Sequence, residues 1–347
     1  MASKKQIKVG KFFIGGGAEV RVQSMLNTPS GDIDACVMQA KELEAAGCEI
    51  IRTTVPDMAA VKTVEALKKE IKAPIVADIH FDYKMALEAA DAGADKIRIN
   101  PGNIGSDERV KAVADKCRQK NIPIRIGVNS GSLPKHILKK YGSPTPEAMV
   151  ESAKYHIALL NKFDFDDIAV SLKSSSVKTA VEAYRLMARE THYPLHIGIT
   201  EAGTNRMGLI KSSAGIGSLL LDGIGDTIRV SLTASPIEEV YAGYDILSAV
   251  GIRQSGANLI SCPTCGRTKI DLISLASRVE DALRICKKNI TVAVMGCAVN
   301  GPGEAAHADI GIAGGNGEGL IFKKGEIFKN VKEDELFNEL MAEIEKL

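Results

Sequence analysis

The sequence predicts an α/β protein: a (β/α)8 TIM barrel followed by a small α+β domain. Two observations lead to this prediction. Up to about residue 240, short β-rich runs alternate with longer helical patterns at a spacing of roughly 30 residues, the size of one βα unit. After that point the alternation stops, and a mixed pattern of about 100 residues follows. We therefore predict a barrel domain over residues 1–245 and a smaller domain over residues 246–347.

Eight candidate strands lie in the first part of the chain. They are residues 20–26, 48–55, 73–80, 96–102, 123–131, 167–174, 194–203 and 227–232. The segments between them, such as residues 34–47 and 84–94, carry apolar residues at helical spacing and contain Gly near their ends. Eight βα units in about 240 residues favour a closed barrel over a doubly wound sheet, which usually has fewer strands.

The last hundred residues predict a different architecture. A short strand ends at the run SCPTCGR, and helical spacing covers residues 268–286. Another strand is predicted over residues 290–300, and a Gly-rich meander follows over residues 307–331. An amphipathic helix over residues 333–347 ends the chain. This mixture predicts a small α+β domain.

Composition excludes several classes of function. The chain has 44 basic and 43 acidic side chains, 4% aromatic residues and no Trp, so it lacks the electrostatic and stacking features of a nucleic-acid-binding protein. No apolar run approaches the ~18 residues that cross a bilayer, and the N-terminus lacks a signal-peptide core. Seven cysteines, an odd number, argue against a disulfide framework. We therefore expect a cytoplasmic protein with reduced thiols.

Charged and polar side chains lie on the predicted barrel strands, where branched apolar residues are usual. Within four strands they fall two residues apart (78/80, 98/100 and 229/231) or four apart (125/129), so the members of each pair share a face. They lie in or just beyond the second half of their strands, the end at which TIM barrels place their active sites. These residues are Arg52, Asp78, His80, Arg98, Asn100, Arg125, Asn129, Lys173, His196, Glu201, Arg229 and Ser231.

We call these residues the ring, and its cations predict an anion-binding site. Five cations, on five different strands, stand against two carboxylates, Asp78 and Glu201. An unpaired charge in a partly desolvated site is costly, and a bound anion would neutralise the excess. Because Arg suits phosphate oxygens, a compact phosphate or diphosphate ester is the expected ligand.

Three cysteines in the smaller domain predict a metal centre. Cys262 and Cys265 form a C-x2-C pair, Cys297 follows, and the turn Asn-Gly-Pro-Gly leads from Cys297 to Glu304. Three thiolates and one oxygen ligand suit an iron-sulfur cluster with one distinct iron. His307 leaves a Cys3His zinc site open as an alternative.

Seven sequence blocks, in order and across both domains, resemble the family of bacterial 4-hydroxy-3-methylbut-2-enyl diphosphate synthases, enzymes of the methylerythritol phosphate route to isoprenoids. The blocks are VQSM, IRINPGNIG, IRIGVNSGSL, LHIGITEAG, GIGDTIRVSL, SCPTCGR and MGCAVNGPGEA. The resemblance implies a barrel that binds 2-C-methyl-D-erythritol 2,4-cyclodiphosphate. It also implies a 4Fe-4S cluster on Cys262, Cys265, Cys297 and Glu304.

The resemblance assigns roles to the ring as well. Positions that match the family's diphosphate-binding residues are Arg52, Arg98, Arg125, Asn129, Lys173, Arg229 and Ser231, and Asn100 joins them on the face of Arg98. Asp78, His80 and Glu201 match polar positions near the reacting end, and Glu201 is the expected proton donor. The family works as a homodimer in which the cluster domain of one subunit covers the barrel of the other.

The implied reaction is the reductive ring opening and dehydroxylation of the cyclic diphosphate. Electrons would come from ferredoxin or flavodoxin, because the chain has no convincing dinucleotide fingerprint. Two other classes stay open at this point. One is a zinc-containing barrel hydrolase or aldolase with a Schiff base on Lys173. The other is a non-catalytic iron-sulfur carrier or sensor, which would have no use for the ring of arginines.

Overall fold

The chain folds into two units, Met1–Val250 and Gly251–Leu347. The computed structural model describes residues 3–284, 286, 288–298 and 305–347. The first unit starts with an antiparallel hairpin, β1 (Gln6–Val9) and β2 (Phe12–Gly15). The barrel strands follow as β3 (Arg21–Met25), β4 (Ile50–Thr54), β5 (Ile75–Asp78), β6 (Lys96–Ile99), β7 (Ile124–Asn129), β8 (Ile168–Lys173), β9 (His196–Ile197) and β10 (Thr227–Ile228).

Helices connect the barrel strands. They are α1 (Ile33–Ala45), α2 (Met58–Glu70), α3 (Tyr83–Asp91), α4 (Pro101–Ile104), α5 (Asp107–Lys120), α6 (Lys135–Tyr141), α7 (Pro146–Asn161), α8 (Val177–Glu190), α9 (Asn205–Leu221) and α10 (Pro236–Ala249). Several begin at a side chain that accepts a backbone N–H of the first turn, as Asp32, Asp57 and Ser176 do. A 3-10 turn, Ser130–Ser132, follows β7.

The eight parallel strands form one sheet in the order β8-β7-β6-β5-β4-β3-β10-β9. A parallel bridge between Val170 and Leu195 links β8 to the segment before β9 and brings the two ends of the sheet together. The predicted (β/α)8 barrel is confirmed. The strands are shorter than predicted, most of all β9, which ends at Ile197.

The hairpin closes the amino-terminal end of the barrel, and the sequence did not predict it. Ile7, Val9 and Ile14 pack against Ile50, Val76 and Ala169. These three barrel residues precede Arg52, Asp78 and Ser171 by two positions, so they lie on the same inward face of their strands. The barrel is therefore sealed with apolar side chains at one end, and polar residues are left for its carboxyl-terminal end.

The second unit is a five-stranded sheet with helices packed on it, as the predicted α+β domain requires. Its strands are β11 (Asn258–Ser261), β12 (Thr291–Met295), β13 (Ile310–Gly314), β14 (Glu318–Lys323) and β15 (Glu326–Lys332), in that spatial order. The first three are parallel, and the last two add antiparallel pairs. Helix α11 (Leu272–Leu283) and a C-terminal helix, Leu336–Lys346, share an apolar core with the sheet.

Among the described residues, no helix combines the length and the apolar character that a membrane span requires.

Candidate active site

A polar cavity of about 270 Å³ lies at the carboxyl-terminal ends of the barrel strands. Parallel strands of a barrel end at the same rim, so residues that follow or finish different strands meet there. The lining residues are Arg52, His80, Arg98, Asn100, Asn103, Arg125, Asn129, Ser132, Ser171, Lys173, Thr200, Arg229 and Ser231. All eight residues predicted to bind a diphosphate line this one cavity.

Asp78 holds two of the cavity arginines from behind. Its carboxylate is fully buried, pairs with Arg52, and accepts a hydrogen bond from Arg98 Nη1 at 2.9 Å. Burial alone would raise the pKa of Asp78, but the Arg52 and Arg98 guanidiniums lower it below its usual range. Asp78 is thus an ionised counterion that orients both arginines. It does not belong to the cavity lining, so the structure favours a positioning role over direct catalysis.

A second buried carboxylate, which the sequence did not predict, orients Arg229. Glu239 of α10 accepts hydrogen bonds from Arg229 Nε at 3.2 Å and Arg229 Nη2 at 3.1 Å. The same carboxylate accepts the Ser24 hydroxyl at 2.9 Å and the Leu232 amide at 3.1 Å. Four donors from the barrel and the following loop therefore converge on Glu239, which is 3% exposed. This carboxylate, rather than Glu201, is the second counterion of the predicted ring.

Two glycines make room for the cavity cations. A Cβ added at Gly127 would lie 2.6 Å from Arg98 Nη2, so only glycine lets that guanidinium lie across β7. A Cβ added at Gly198 would lie 3.2 Å from Lys173 Nζ and 2.5 Å from the Arg229 carbonyl oxygen. Both glycines occupy inward-facing positions, two residues from Arg125 and His196 respectively.

The cations crowd one another. Burial, followed by the charges of Arg229, Arg125 and Arg52, holds the pKa of Lys173 well below its usual value. Burial and the neighbouring Arg52 and Arg98 likewise lower the pKa of Arg125, whose Nη1 reaches Gln23 Oε1 at 3.4 Å. With Asp78 and Glu239 as counterions for five cations, a positive excess stays in the cavity. An anion bound there would relieve it.

The remaining polar residues predicted on the strands, His80, Glu201 and His196, lie in different places. His80 lines the cavity, and its Nε2 lies 3.7 Å from Asp78 Oδ2. Glu201 lies outside the cavity lining, although its neighbour Thr200 belongs to it. Glu201 is exposed and adopts a left-handed backbone conformation with φ 52°. His196 is buried below the cavity, where its Nδ1 lies 2.8 Å from the Thr227 hydroxyl.

Four lining residues were not predicted: Asn103, Ser132, Ser171 and Thr200. Ser171 and Thr200 could have been found, because each lies at an even spacing from a predicted residue, Lys173 and His196 respectively. Asn103 and Ser132 lie in short helical turns after β6 and β7, where strand periodicity carries no information. Glu239 is on a helix and carried no sequence signal.

The second unit has a cavity of about 180 Å³ lined by Cys262, Cys265 and Cys297. Cys262 directly follows β11, and Cys297 comes two residues after β12. These strands are parallel neighbours, so their carboxyl ends carry the two thiols to the same rim. Pro263, Arg267, Thr268 and Gly296 complete the lining.

The surroundings of the thiols suit thiolate ligands. The Gly296 amide donates a hydrogen bond to Cys262 Sγ at 3.2 Å, and such N–H···S bonds are a known influence on iron-sulfur centres. The Arg267 backbone amide is the main cause that lowers the pKa of Cys265, and the Arg267 charge lowers it further. Glu304, the predicted fourth ligand, lies outside the described residues.

The donor set is compatible with an iron-sulfur cluster. In a four-iron cluster each thiolate binds a different iron. Cys262, Cys265 and Cys297, which line one cavity, provide three such donors.

Fold and site together define a class: a TIM-barrel protein with a cation-lined cavity, followed by a domain with a cysteine-lined cavity. The model described as the GcpE TIM-barrel domain matches residues 4–244, and that described as the GcpE protein C-terminal domain matches residues 258–346. The chain belongs to the GcpE family. The family resemblance predicted from the seven sequence blocks is thereby confirmed.

Relatives of known name cover almost the whole chain. The chain is 58% identical, over 343 residues, to 4-hydroxy-3-methylbut-2-en-1-yl diphosphate synthase (flavodoxin) of Clostridium perfringens, covering 99% of this chain and 98% of the relative. The protein of the same name from Clostridium acetobutylicum is 57% identical with the same coverage. Among solved structures, Yersinia pestis dihydropteroate synthase superposes with a TM-score of 0.50 at 16% identity, covering 71% of this chain and 99% of that chain, which supports the barrel fold alone.

Proposed function

We propose that this chain converts 2-C-methyl-D-erythritol 2,4-cyclodiphosphate into (E)-4-hydroxy-3-methylbut-2-enyl diphosphate, an oxidoreductase step of isoprenoid precursor biosynthesis. The observation that carries the proposal is the cavity with five cationic side chains at the active-site end of the barrel. The names of the near full-length relatives state the product, a diphosphate, and name flavodoxin, which supports flavodoxin as electron donor. Ferredoxin is the alternative donor.

The reaction consumes two electrons and one proton for each cyclic diphosphate. The bond between C2 and its phosphate oxygen breaks, the C3 hydroxyl leaves as water, and a double bond forms between C2 and C3. A 4Fe-4S cluster held by Cys262, Cys265, Cys297 and Glu304 supplies one-electron transfers when bound.

The cations of the barrel bind the diphosphate and stabilise the phosphate oxygen that is released. Arg52 and Arg98 are held by Asp78, and Arg229 is held by Glu239, so these forks need little rearrangement when the substrate binds. Lys173 and Arg125 add charge from the neighbouring strands β8 and β7. Preorganised donors of this kind stabilise developing negative charge without paying for reorientation at the moment of reaction.

Neutral polar residues orient the rest of the substrate. Asn100, Asn129 and Ser231 offer hydrogen bonds at the rim, and the His80 imidazole lines the same cavity. We assign the proton that leaves with the hydroxyl to Glu201, because its neighbour Thr200 lines the cavity. The assembly is proposed to be a cytoplasmic homodimer in which the cluster domain (246–347) of one subunit completes the barrel (1–245) of the other.

Anaerobic purification followed by metal analysis and activity measurement tests the proposal. We expect a brown protein with about four irons per chain and turnover of the cyclic diphosphate with reduced flavodoxin. A colourless protein containing zinc would support the hydrolase or aldolase class instead, and borohydride would then trap substrate on Lys173. Iron without turnover would support a carrier.

Matched variants test the ligand set. Cys265→Ser is expected to lose iron and activity, whereas Cys286→Ser, a control that packs against the apolar core of the same domain, keeps both. Glu304→Ala is expected to lose turnover. A Glu304→Ala protein with a full cluster and unchanged turnover would remove Glu304 from the ligand set.

A further inference from the structure

A tyrosine hydroxyl is inserted between the two strands at which the barrel closes, β8 and β9. Tyr184 lies on α8 and is fully buried. Its hydroxyl oxygen accepts a hydrogen bond from the Leu172 amide at 3.0 Å and donates one to the His196 carbonyl oxygen at 2.7 Å. One side-chain oxygen therefore links the backbones of both strands.

The register shows that this hydroxyl replaces a bond of the parallel ladder. Val170 pairs with Leu195, and the Val170 amide donates to the Pro194 carbonyl at 2.9 Å. In a parallel ladder the next bond on this side joins residues two positions further along each strand. That bond would run directly from the Leu172 amide to the His196 carbonyl, the two groups that Tyr184 bridges.

The ladder keeps its register beyond the tyrosine. The Thr200 amide donates to the Ser174 carbonyl at 3.3 Å, as expected if Ser174 is paired with the residue before Thr200. The strands are thus spread apart at one rung, with a ladder bond on each side of it. Since the hydroxyl must donate and accept at once, it has to stay protonated. Burial raises the pKa of Tyr184 and keeps it so.

The position at which Tyr184 separates β8 and β9 lies next to a cation of the cavity. Lys173 directly follows Leu172, and its Nζ lies above Gly198 of the facing segment, where an added Cβ would be 3.2 Å away. Thr200, which also lines the cavity, follows two residues later. The separation of the strands at this rung therefore decides how far the Lys173 ammonium reaches across β9 into the cavity.

We propose that Tyr184 is a positioning residue for the anion site: its hydroxyl sets the separation of β8 and β9 and thereby places Lys173. Without the hydroxyl, the Leu172 amide and the His196 carbonyl are free to pair directly. That bond draws the strands together and displaces Lys173. The inference rests on the anion site proposed above, and it adds a residue that does not line the cavity.

The test is the binding of inorganic pyrophosphate, measured by calorimetry on the full chain. Tyr184→Phe is expected to raise the dissociation constant about tenfold, a typical effect for coupled neighbours. Tyr193→Phe is the matched control. Tyr193 is also buried, and its hydroxyl also has two partners, Asn161 and Asp166, but it does not line the cavity. We expect it to lower thermal stability and leave pyrophosphate binding unchanged.

A double-mutant cycle separates positioning of Lys173 from a general loss of structure. In the Lys173→Met background, Tyr184→Phe is expected to change the dissociation constant less than about twofold, because the side chain that it places is gone. An equal loss in both backgrounds, or no loss in either, overturns the inference. If the wild-type chain does not bind pyrophosphate at all, the anion-site proposal itself fails.

Hydrogen exchange of the wild-type chain keeps the inference testable if Tyr184→Phe does not fold. Saturating pyrophosphate is expected to slow exchange of the Leu172 amide, because an anion held by Lys173 opposes opening of the adjacent rung. The amide of Ile71, which donates to the Leu67 carbonyl at the end of α2, serves as a reference and is expected to stay unchanged. Unaltered exchange at Leu172 would contradict the coupling.

Discussion

Replacing Asp78 with Asn tests whether a buried carboxylate holds the anion site together. Asp78 has no exposed surface, whereas the side chains of Arg52 and Arg98 are 12% and 9% exposed. Asparagine has nearly the same size, so the change removes charge without opening a cavity. The two guanidiniums would then share one amide oxygen, and the amide NH2 would face one of them as a second donor.

The cost of this change follows from the burial of the pair. Removing one partner of a buried ion pair typically costs about 3–5 kcal/mol, and we expect the lower value, about 3 kcal/mol, because both arginines border an open cavity. For a domain of this size that corresponds to a melting temperature about 6 °C lower. Asp91→Asn is the control, since Asp91 pairs with Lys116 and Lys120 at the surface and is expected to contribute below about 1 kcal/mol.

Pyrophosphate distinguishes a counterion from an ordinary structural residue. In Asp78→Asn the cavity has one more uncompensated positive charge, so a bound anion should recover more stability than it adds to the wild-type chain. The measurement is urea unfolding with and without saturating pyrophosphate. An anion-free variant as stable as the wild-type chain, or an equal gain from pyrophosphate in both proteins, would refute the reasoning.

The pH dependence of the same pair has a defined sign. The pKa of Asp78 is lower in the folded chain than in the unfolded chain, so its contribution is complete above the unfolded value, near 3.9. The contribution of Asp78 to the free energy of unfolding decreases as the pH falls below about 4, because Asp78 is then protonated in the unfolded state but still ionised in the folded state. The stability difference between the wild-type chain and Asp78→Asn should therefore shrink as the pH falls below about 4.

Three further predictions concern other buried positions. Gly127→Ala should keep the fold but weaken pyrophosphate binding about tenfold, because the methyl group displaces the Arg98 guanidinium. Calorimetry measures the affinity and a melting curve checks the fold; an unchanged affinity contradicts the prediction. Lys96→Met should stabilise the chain by about 1–3 kcal/mol in urea unfolding, because Lys96 Nζ is fully buried and has no hydrogen-bond partner among the described residues; a loss of stability contradicts it. Burial lowers the pKa of His156 to about 4. The free energy of unfolding of the wild-type chain should therefore fall by about 3 kcal/mol between pH 6.5 and pH 4, and His156→Leu should lack this loss. Urea unfolding at both pH values checks this, and an equal loss in the two proteins contradicts it.

Strand periodicity predicted the cations of the site because a barrel converts a period of two into a common inward face. Arg98 and Asn100, or Arg125 and Asn129, needed only that alternation to be grouped. The same rule identifies positions but not partners. It paired the cations with Asp78 and Glu201, whereas packing of α10 brings in Glu239 and the turn after β9 leaves Glu201 exposed.

Two features could not be predicted because they depend on side-chain contacts between different elements. The hairpin at the start of the chain carries a short apolar alternation, and its function as a barrel floor becomes visible only when Ile7 and Ile14 meet Ile50 and Val76. The Tyr184 hydroxyl joins helix α8 to the strand before it, β8, and to the strand after it, β9. A buried Tyr on an amphipathic helix is ordinarily a core residue, and sequence spacing does not reveal what its hydroxyl contacts.

The arrangement of counterions explains how the site can be cationic and still folded before an anion arrives. Asp78 and Glu239 lie behind the cavity surface, each bound to arginine forks whose remaining donors face the cavity. If either carboxylate lay in the lining, it would neutralise the positive charge that binds the anion. If it were removed, guanidiniums would be buried without a partner. Lys173 has no such carboxylate among its hydrogen-bond partners in the described chain. Its placement relies instead on the junction of β8 and β9, which the Tyr184 hydroxyl bridges. The fold therefore positions the cations of the site in two ways: buried carboxylates hold the arginines, and the Tyr184 hydroxyl between β8 and β9 places Lys173.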